Sequence, residues 1–186
     1  SGRGLTVEQS VRRRCLNALA AAGLTEVASY PFVSEADNRL FGTPEEGESV
    51  PAIALANPIS ESFGSLQTSL LPGLVQVLKR NHSRGFRDLA LYESALVFHP
   101  REHLGTQNIP AVGQKPDPGV LADLHAGLPR QPRHIAAILT GHDAQVSPGV
   151  TPRAYDWQDA LDVARMVADT AGVRLDLRQG RHQAFH

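Results

Sequence analysis

The run "DLALYESALVF" (88–98) is apolar at odd and even positions alike. A strand of that kind needs neighbours at both edges and covering layers on both faces, so it reads as the interior strand of a sheet. The rest of the chain has to be arranged around it. Glu93 sits between apolar neighbours in this run, and a carboxylate there must be hydrogen-bonded, paired or shifted in pKa. Local spacing places no second carboxylate or histidine beside it, so a structural role is the simpler expectation and no acid and base pair follows.

The flanking segments alternate between helix and strand signals. Thr6 and Gln9 form a capping-box pattern, Val7, Val11, Cys15, Ala18, Leu19 and Ala22 make one stripe, and Gly23 is a stop, predicting a helix over 6–22. Arg12, Arg13 and Arg14 then lie on its solvated side. "TEVASYPFV" (25–33) has strand composition, but Pro31 lacks a ladder donor and predicts an edge or a bulge. "SEADNRLF" reads as a short helix, "GTPEEGESVP" (42–51) as an acidic loop and "AIALANP" as a short strand. In "LQTSLLPGLVQVLKRN" (66–81), Pro72 suits a first helical turn. Leu71, Leu74, Val75 and Leu78 form its buried face, and Lys79 and Arg80 complement its C-terminal dipole.

Residues 99–132 are a proline-rich excursion relieved by one short helix, with Asp117 as cap and Pro118 as first residue. "HIAAILTG" returns to the sheet. Asp156 then caps a helix to Ala171 that should bury Trp157, Ala160, Leu161, Ala164 and Val167, and "VRLDL" (173–177) alternates like a half-exposed strand. Short and irregular links favour an α+β fold with a mainly antiparallel sheet flanked by helices, in one domain spanning 1–186.

The chain has 186 residues, 41% of them hydrophobic, enough for one core. Its 18 Lys and Arg balance 19 Asp and Glu, so any electrostatic partner must be met by a local patch. No segment has the roughly 20 apolar residues of a membrane span, and the N-terminus lacks a signal-peptide core. One cysteine, Cys15, excludes an internal disulfide, and a cytoplasmic location is expected. There is no G-x-G-x-x-G or P-loop pattern.

Three motifs raise chemistry. "HPREH" (99–103) matches H-x-x-E-H, in which a helical turn aims two histidines at zinc, which would make His99, Glu102 and His103 a hydrolase centre. Pro100 and Gly105 argue against the helix that this geometry needs, so loop histidines are the expectation; "HQAFH" (182–186) has the same spacing and the same weakness. Ser65, Thr68 and Ser69 lack a nucleophile elbow or a base and read as cap and turn residues. Lys79, Arg80, Arg84 and Arg87, with His82 and Phe86 interleaved and no acid among them, form a basic patch. It is a solvated helix end or a grip on RNA phosphates and bases.

The blocks "GRGLTVEQSVRRR", "GLTEVASYPFV", "NPIS", "TSLLPGL", "RNHSRG", "LYESALVF", "LPRQPRHIA" and "YDWQDA" follow in an order that resembles the β subunit of bacterial phenylalanine–tRNA ligase, over essentially the whole chain. The resemblance implies a class II aminoacyl-tRNA synthetase core-like sheet that does not catalyse and that packs on the catalytic α subunit of a heterotetramer. ATP, magnesium and phenylalanine would be handled elsewhere in that enzyme, which charges tRNA(Phe). It implies no catalytic, cofactor or metal residue in this chain. The family commonly has arginine before TSLLPGL, where this chain has Gln67, and lacks here a motif 2 arginine context. Family members continue past the position of His186, so a piece of a longer subunit, truncated at its C-terminal end, is expected.

Overall fold

A computed structural model describes residues 4–42, 51–101, 110–143 and 149–185. Its elements run α1 (Val7–Ala21), β1 (Thr25–Glu26), β2 (Phe32–Val33), α2 (Glu35–Phe41), β3 (Ser65–Leu66), α3 (Leu71–Ser83), β4 (Leu89–Leu96), α4 (Pro118–Ala126), β5 (Arg133–Thr140) and α5 (Trp157–Ala171). β4 is the middle of a three-stranded sheet, as its two apolar faces demand. β5 pairs with it antiparallel, from Leu89 opposite Thr140 to Leu96 opposite Arg133, and β1 pairs with it in parallel through Thr25 and Glu26.

The sheet is therefore mixed, which corrects the expectation of a mainly antiparallel one. Between β1 and β4 the chain passes through α3, packed on the sheet, and such a crossover returns it pointing the way it left. Pro31 divides "TEVASYPFV" between two sheets. Val27 still donates to the Tyr92 carbonyl at 2.8 Å, but Phe32 and Val33 instead pair antiparallel with Leu66 and Ser65. Proline has no N–H to continue a ladder, and its carbonyl is taken by the Gln67 N–H at 2.9 Å. "AIALANP" contributes one bridge, Ala54 opposite Ser65, rather than a strand. "VRLDL" is not a strand either; Val173, Leu175 and Leu177 are exposed.

Side chains of β4 divide by parity. Ala90 and Tyr92 face a core with Leu19 and Leu24, closed by Leu16 of α1, by Ile135, Ala137 and Leu139 of β5, and by Val163, Met166 and Val167 of α5. The Tyr92 hydroxyl donates to the Leu16 carbonyl at 3.2 Å, giving the buried ring its polar partner. Glu93 points to the opposite face, beside α3. Helices thus cover both faces of the short sheet.

Capping follows the sequence. Thr6 and Gln9 exchange bonds at 3.2 and 2.9 Å, Asp117 accepts from Gly119 N–H at 2.7 Å ahead of α4, and Asp156 accepts from Gln158 N–H at 2.7 Å ahead of α5. α5 ends at Gly172 in the left-handed conformation, φ 75°. Val7 and Trp157, both expected inside, are 82% and 68% exposed. Each is the first residue of its helix, whereas α1 and α5 enter the core through later turns. His99 and Arg130 exchange backbone bonds at 3.0 and 2.9 Å and close the base of the proline-rich excursion.

Candidate functional site

Two clusters of polar residues lie at the two ends of α3. At its N-terminal end the block "LQTSLLPGL" runs from β3 into the helix, and its polar groups turn inward. Gln67, 1% exposed, donates from Nε2 to the Leu96 carbonyl at 2.8 Å, and its backbone carbonyl accepts from Phe98 N–H at 2.9 Å, while its Oε1 is buried without a hydrogen-bond partner among the described residues. Thr68 donates its N–H and its hydroxyl to Asn38 Oδ1 at 2.9 and 3.0 Å, and Asn38 Nδ2 donates to the Leu66 carbonyl at 2.9 Å. Ser69 Oγ accepts from Leu71 N–H at 3.2 Å, as a turn residue should. Asn38 carried no signal in the sequence. A polar residue on a short amphipathic helix looks solvated until tertiary contacts bury it.

Pro72, Gly73 and Leu74 are buried at the first turn of α3. A Cβ on Gly73 would stand 2.8 Å from Ser29 Oγ and 2.9 Å from Ser29 Cβ, so glycine sets how closely α3 approaches the strap after β1. Glu93, 2% exposed, holds that strap: its Oε1 accepts from Ser29 N–H at 2.6 Å. Glu93 Oε2 and Ser29 Oγ are buried without a hydrogen-bond partner among the described residues. The carboxylate of the interior strand is a brace between layers.

The C-terminal end of α3 has the opposite character. Lys79, Arg80, Arg84 and Arg87 are all exposed, and none makes an ion pair among the described residues. Phe86 among them is 57% exposed. Gly85, at φ 92°, turns the chain toward β4. Where the loop ends, Asp88 Oδ1 accepts from His142 N–H at 2.8 Å and lies 3.1 Å from His142 Nδ1. The backbone bond from His142, and then its ring, hold the Asp88 carboxyl below the usual range. Gly141, at φ 73°, would meet Asp88 Oδ1 and the Arg87 carbonyl with any Cβ, so the patch is fastened at this end to the tip of β5.

His99 lies past β4, its ring centroid 6.4 Å from that of His134. Burial, then the nearby His134 and Arg130, lower its pKa. Glu102 and His103 of the zinc pattern lie outside the described residues, as does His186 of "HQAFH". Among the described residues no group of three His, Cys, Asp or Glu side chains is placed to hold a metal ion.

The family model for the phenylalanyl tRNA synthetase beta chain CLM domain matches residues 1–186. The chain belongs to the phenylalanine–tRNA ligase β-subunit family. Curated β subunits similar to it include those of Leifsonia xyli subsp. xyli, 45% identical over 185 residues, Streptomyces avermitilis, 41% over 186, and Thermobifida fusca, 39% over 186. Each match covers 100% of this chain and 22% of the relative, so the chain spans about a fifth of their length. Among solved structures, a pyrrolysyl tRNA synthetase from Desulfitobacterium hafniense superposes with a TM-score of 0.55 at 13% identity, covering 89% of this chain and 46% of that one. That likeness supports a class II-like fold for the β-subunit domain. No helix among the described residues is long and apolar enough to cross a membrane.

Proposed function

We propose that this β-subunit domain is a synthetase-like module without catalysis of its own, which supports assembly with the α subunit during ATP-dependent charging of tRNA(Phe) with phenylalanine. The observation that carries the reading is the inward commitment of Gln67 Nε2, Thr68, Asn38 and Glu93 Oε1, which bond backbone groups and one another inside the fold. A substrate loop needs polar groups aimed outward at the reacting atoms. A groove of about 540 Å³ between α1 and β1, lined by Leu5, Gln9, Arg12, Leu16, Glu26 and Tyr92, is the surface this reading assigns to a protein partner. The chain alone should form no phenylalanyl-adenylate from ATP and phenylalanine and should co-purify with α; adenylate formation by the isolated chain overturns the reading.

A second reading has its own observation: Lys79, Arg80, Arg84 and Arg87 are exposed and make no ion pair among the described residues, and Phe86, next to Arg87 in the sequence, is also exposed. That is the composition of a surface for RNA phosphates and one stacked base. It requires salt-sensitive binding of tRNA that weakens when Arg84 and Arg87 are replaced together. Unchanged binding by that double variant removes it.

A further inference from the structure

α1 and α5 lie against each other on the Tyr92 face of the sheet, and a cleft of about 470 Å³ runs between them and the sheet. The two helices touch at one place along it, where Cys15 Sγ lies 3.8 Å from the Val167 carbonyl. Val11, one turn before Cys15, and Ala171, one turn after Val167, continue the two walls, and their short side chains leave the slot unfilled. Ser94 of β4 and Ile135, its partner across the ladder, line it from the sheet. Its volume is that of a small-molecule site, for which about 300–1,000 Å³ is usual.

The polar groups along this apolar slot are unmatched. Ser94 is 8% exposed, and its hydroxyl is buried without a hydrogen-bond partner among the described residues. Buried hydroxyls are nearly always satisfied, so one left over beside a cleft is a group that a ligand can complete. Arg133 donates from Nη1 to the Ser94 carbonyl at 3.2 Å, which holds its guanidinium beside Ser94 and leaves its other N–H donors free for a ligand. Arg12 lines the cleft from α1, and neither arginine makes an ion pair among the described residues. Against these two guanidinium groups the lining holds one carboxylate, Glu8, so one positive charge is left over.

We propose that this cleft is a binding site for a small monocarboxylate with an apolar body. The carboxylate lies between Arg12 and Arg133 and accepts from the Ser94 hydroxyl, which reaches it by turning about its Cα–Cβ bond. The body lies along Val11, Cys15, Ile135 and Val167, where it leaves water. Charge complementarity selects the occupant: a cation meets two guanidinium groups, and a dianion meets Glu8. The site is separate from the groove assigned to a protein partner and from the basic patch, and it stands or falls independently of both.

The test is calorimetric titration of a full-length β subunit carrying this sequence with hexanoate, acetate and hexylamine. Hexanoate should bind saturably, acetate at least about 10-fold more weakly for want of four methylenes, and hexylamine not at all. Arg12→Gln with Arg133→Gln should weaken hexanoate at least about 10-fold. Glu8→Gln, which removes the opposing charge, should tighten it by roughly 2-fold. Ala171→Phe fills the slot without touching a charged group and should abolish binding, with thermal melts confirming that each variant is folded. No saturable hexanoate binding below about 10 mM overturns the proposal, as it would if another part of the subunit fills the cleft. Equal binding of hexylamine, or unchanged affinity in folded Ala171→Phe, overturns it too.

Discussion

The two ends of α3 are built from neighbouring residues of one helix and do opposite things. At the N-terminal end, Leu74 and Gly73 are buried and the polar side chains of the TSLLPGL block are spent inside the fold, Thr68 on Asn38 and Ser69 on the Leu71 N–H. At the other end, Lys79 to Arg87 present charge to solvent with no carboxylate engaged among the described residues. One helix thus carries polar groups committed to the fold at one end and exposed charge at the other. Hydrogen-bond capacity spent on the fold is unavailable to a ligand.

Substitutions at the two ends should therefore separate stability from binding. Leu74→Ala empties a fully buried site and should cost about 2–5 kcal/mol in chemical denaturation. A loss below about 1 kcal/mol would mean that the buried end is not a packed support. Gly73→Ala pushes a methyl against Ser29 and should cost about 1–3 kcal/mol, with the loss centred on the contact between α3 and the strap after β1. Glu93→Ala leaves the Ser29 N–H without its acceptor and should cost roughly 1–3 kcal/mol, whereas Glu93→Gln, which keeps an acceptor oxygen, should cost less; equal losses would mean that charge rather than the hydrogen bond matters. Arg84→Ala with Arg87→Ala should change stability by less than about 0.5 kcal/mol. If the patch grips RNA, the same pair should flatten the salt dependence of tRNA binding, lowering the log–log slope by roughly 1.8. A large drop in melting temperature in this double variant would erase the contrast between the ends.

Local signals were the readable ones. Capping residues Thr6, Asp117 and Asp156, the glycine stop at Gly172 and the apolar face of α3 act within one or two turns, and all are found where the sequence puts them. Partner-dependent features were not readable. "VRLDL" has the alternation of a strand but no neighbour to pair with among the described residues, and "TEVASYPFV" splits because its two halves find different partners, Tyr92 and Leu66. Of the candidate site residues, Ser65, Thr68 and Ser69 were read as cap and turn residues, although Ser65 lies in β3 opposite Val33, and Lys79, Arg80, Arg84 and Arg87 as a patch. Asn38, which ties the block together from another helix, was invisible because its role depends on a contact across 30 residues.

The family, the interior position of β4, the helix limits and the basic patch follow from the sequence by itself. Each depends on pattern, composition or contacts a few residues apart. Tertiary structure alone decided that β1 lies parallel to β4, that Glu93 braces Ser29 and that Asn38 satisfies Thr68. Strand direction, burial and hydrogen-bond satisfaction are properties of pairs of segments distant along the chain. They come into being only when packing brings those segments within bonding distance.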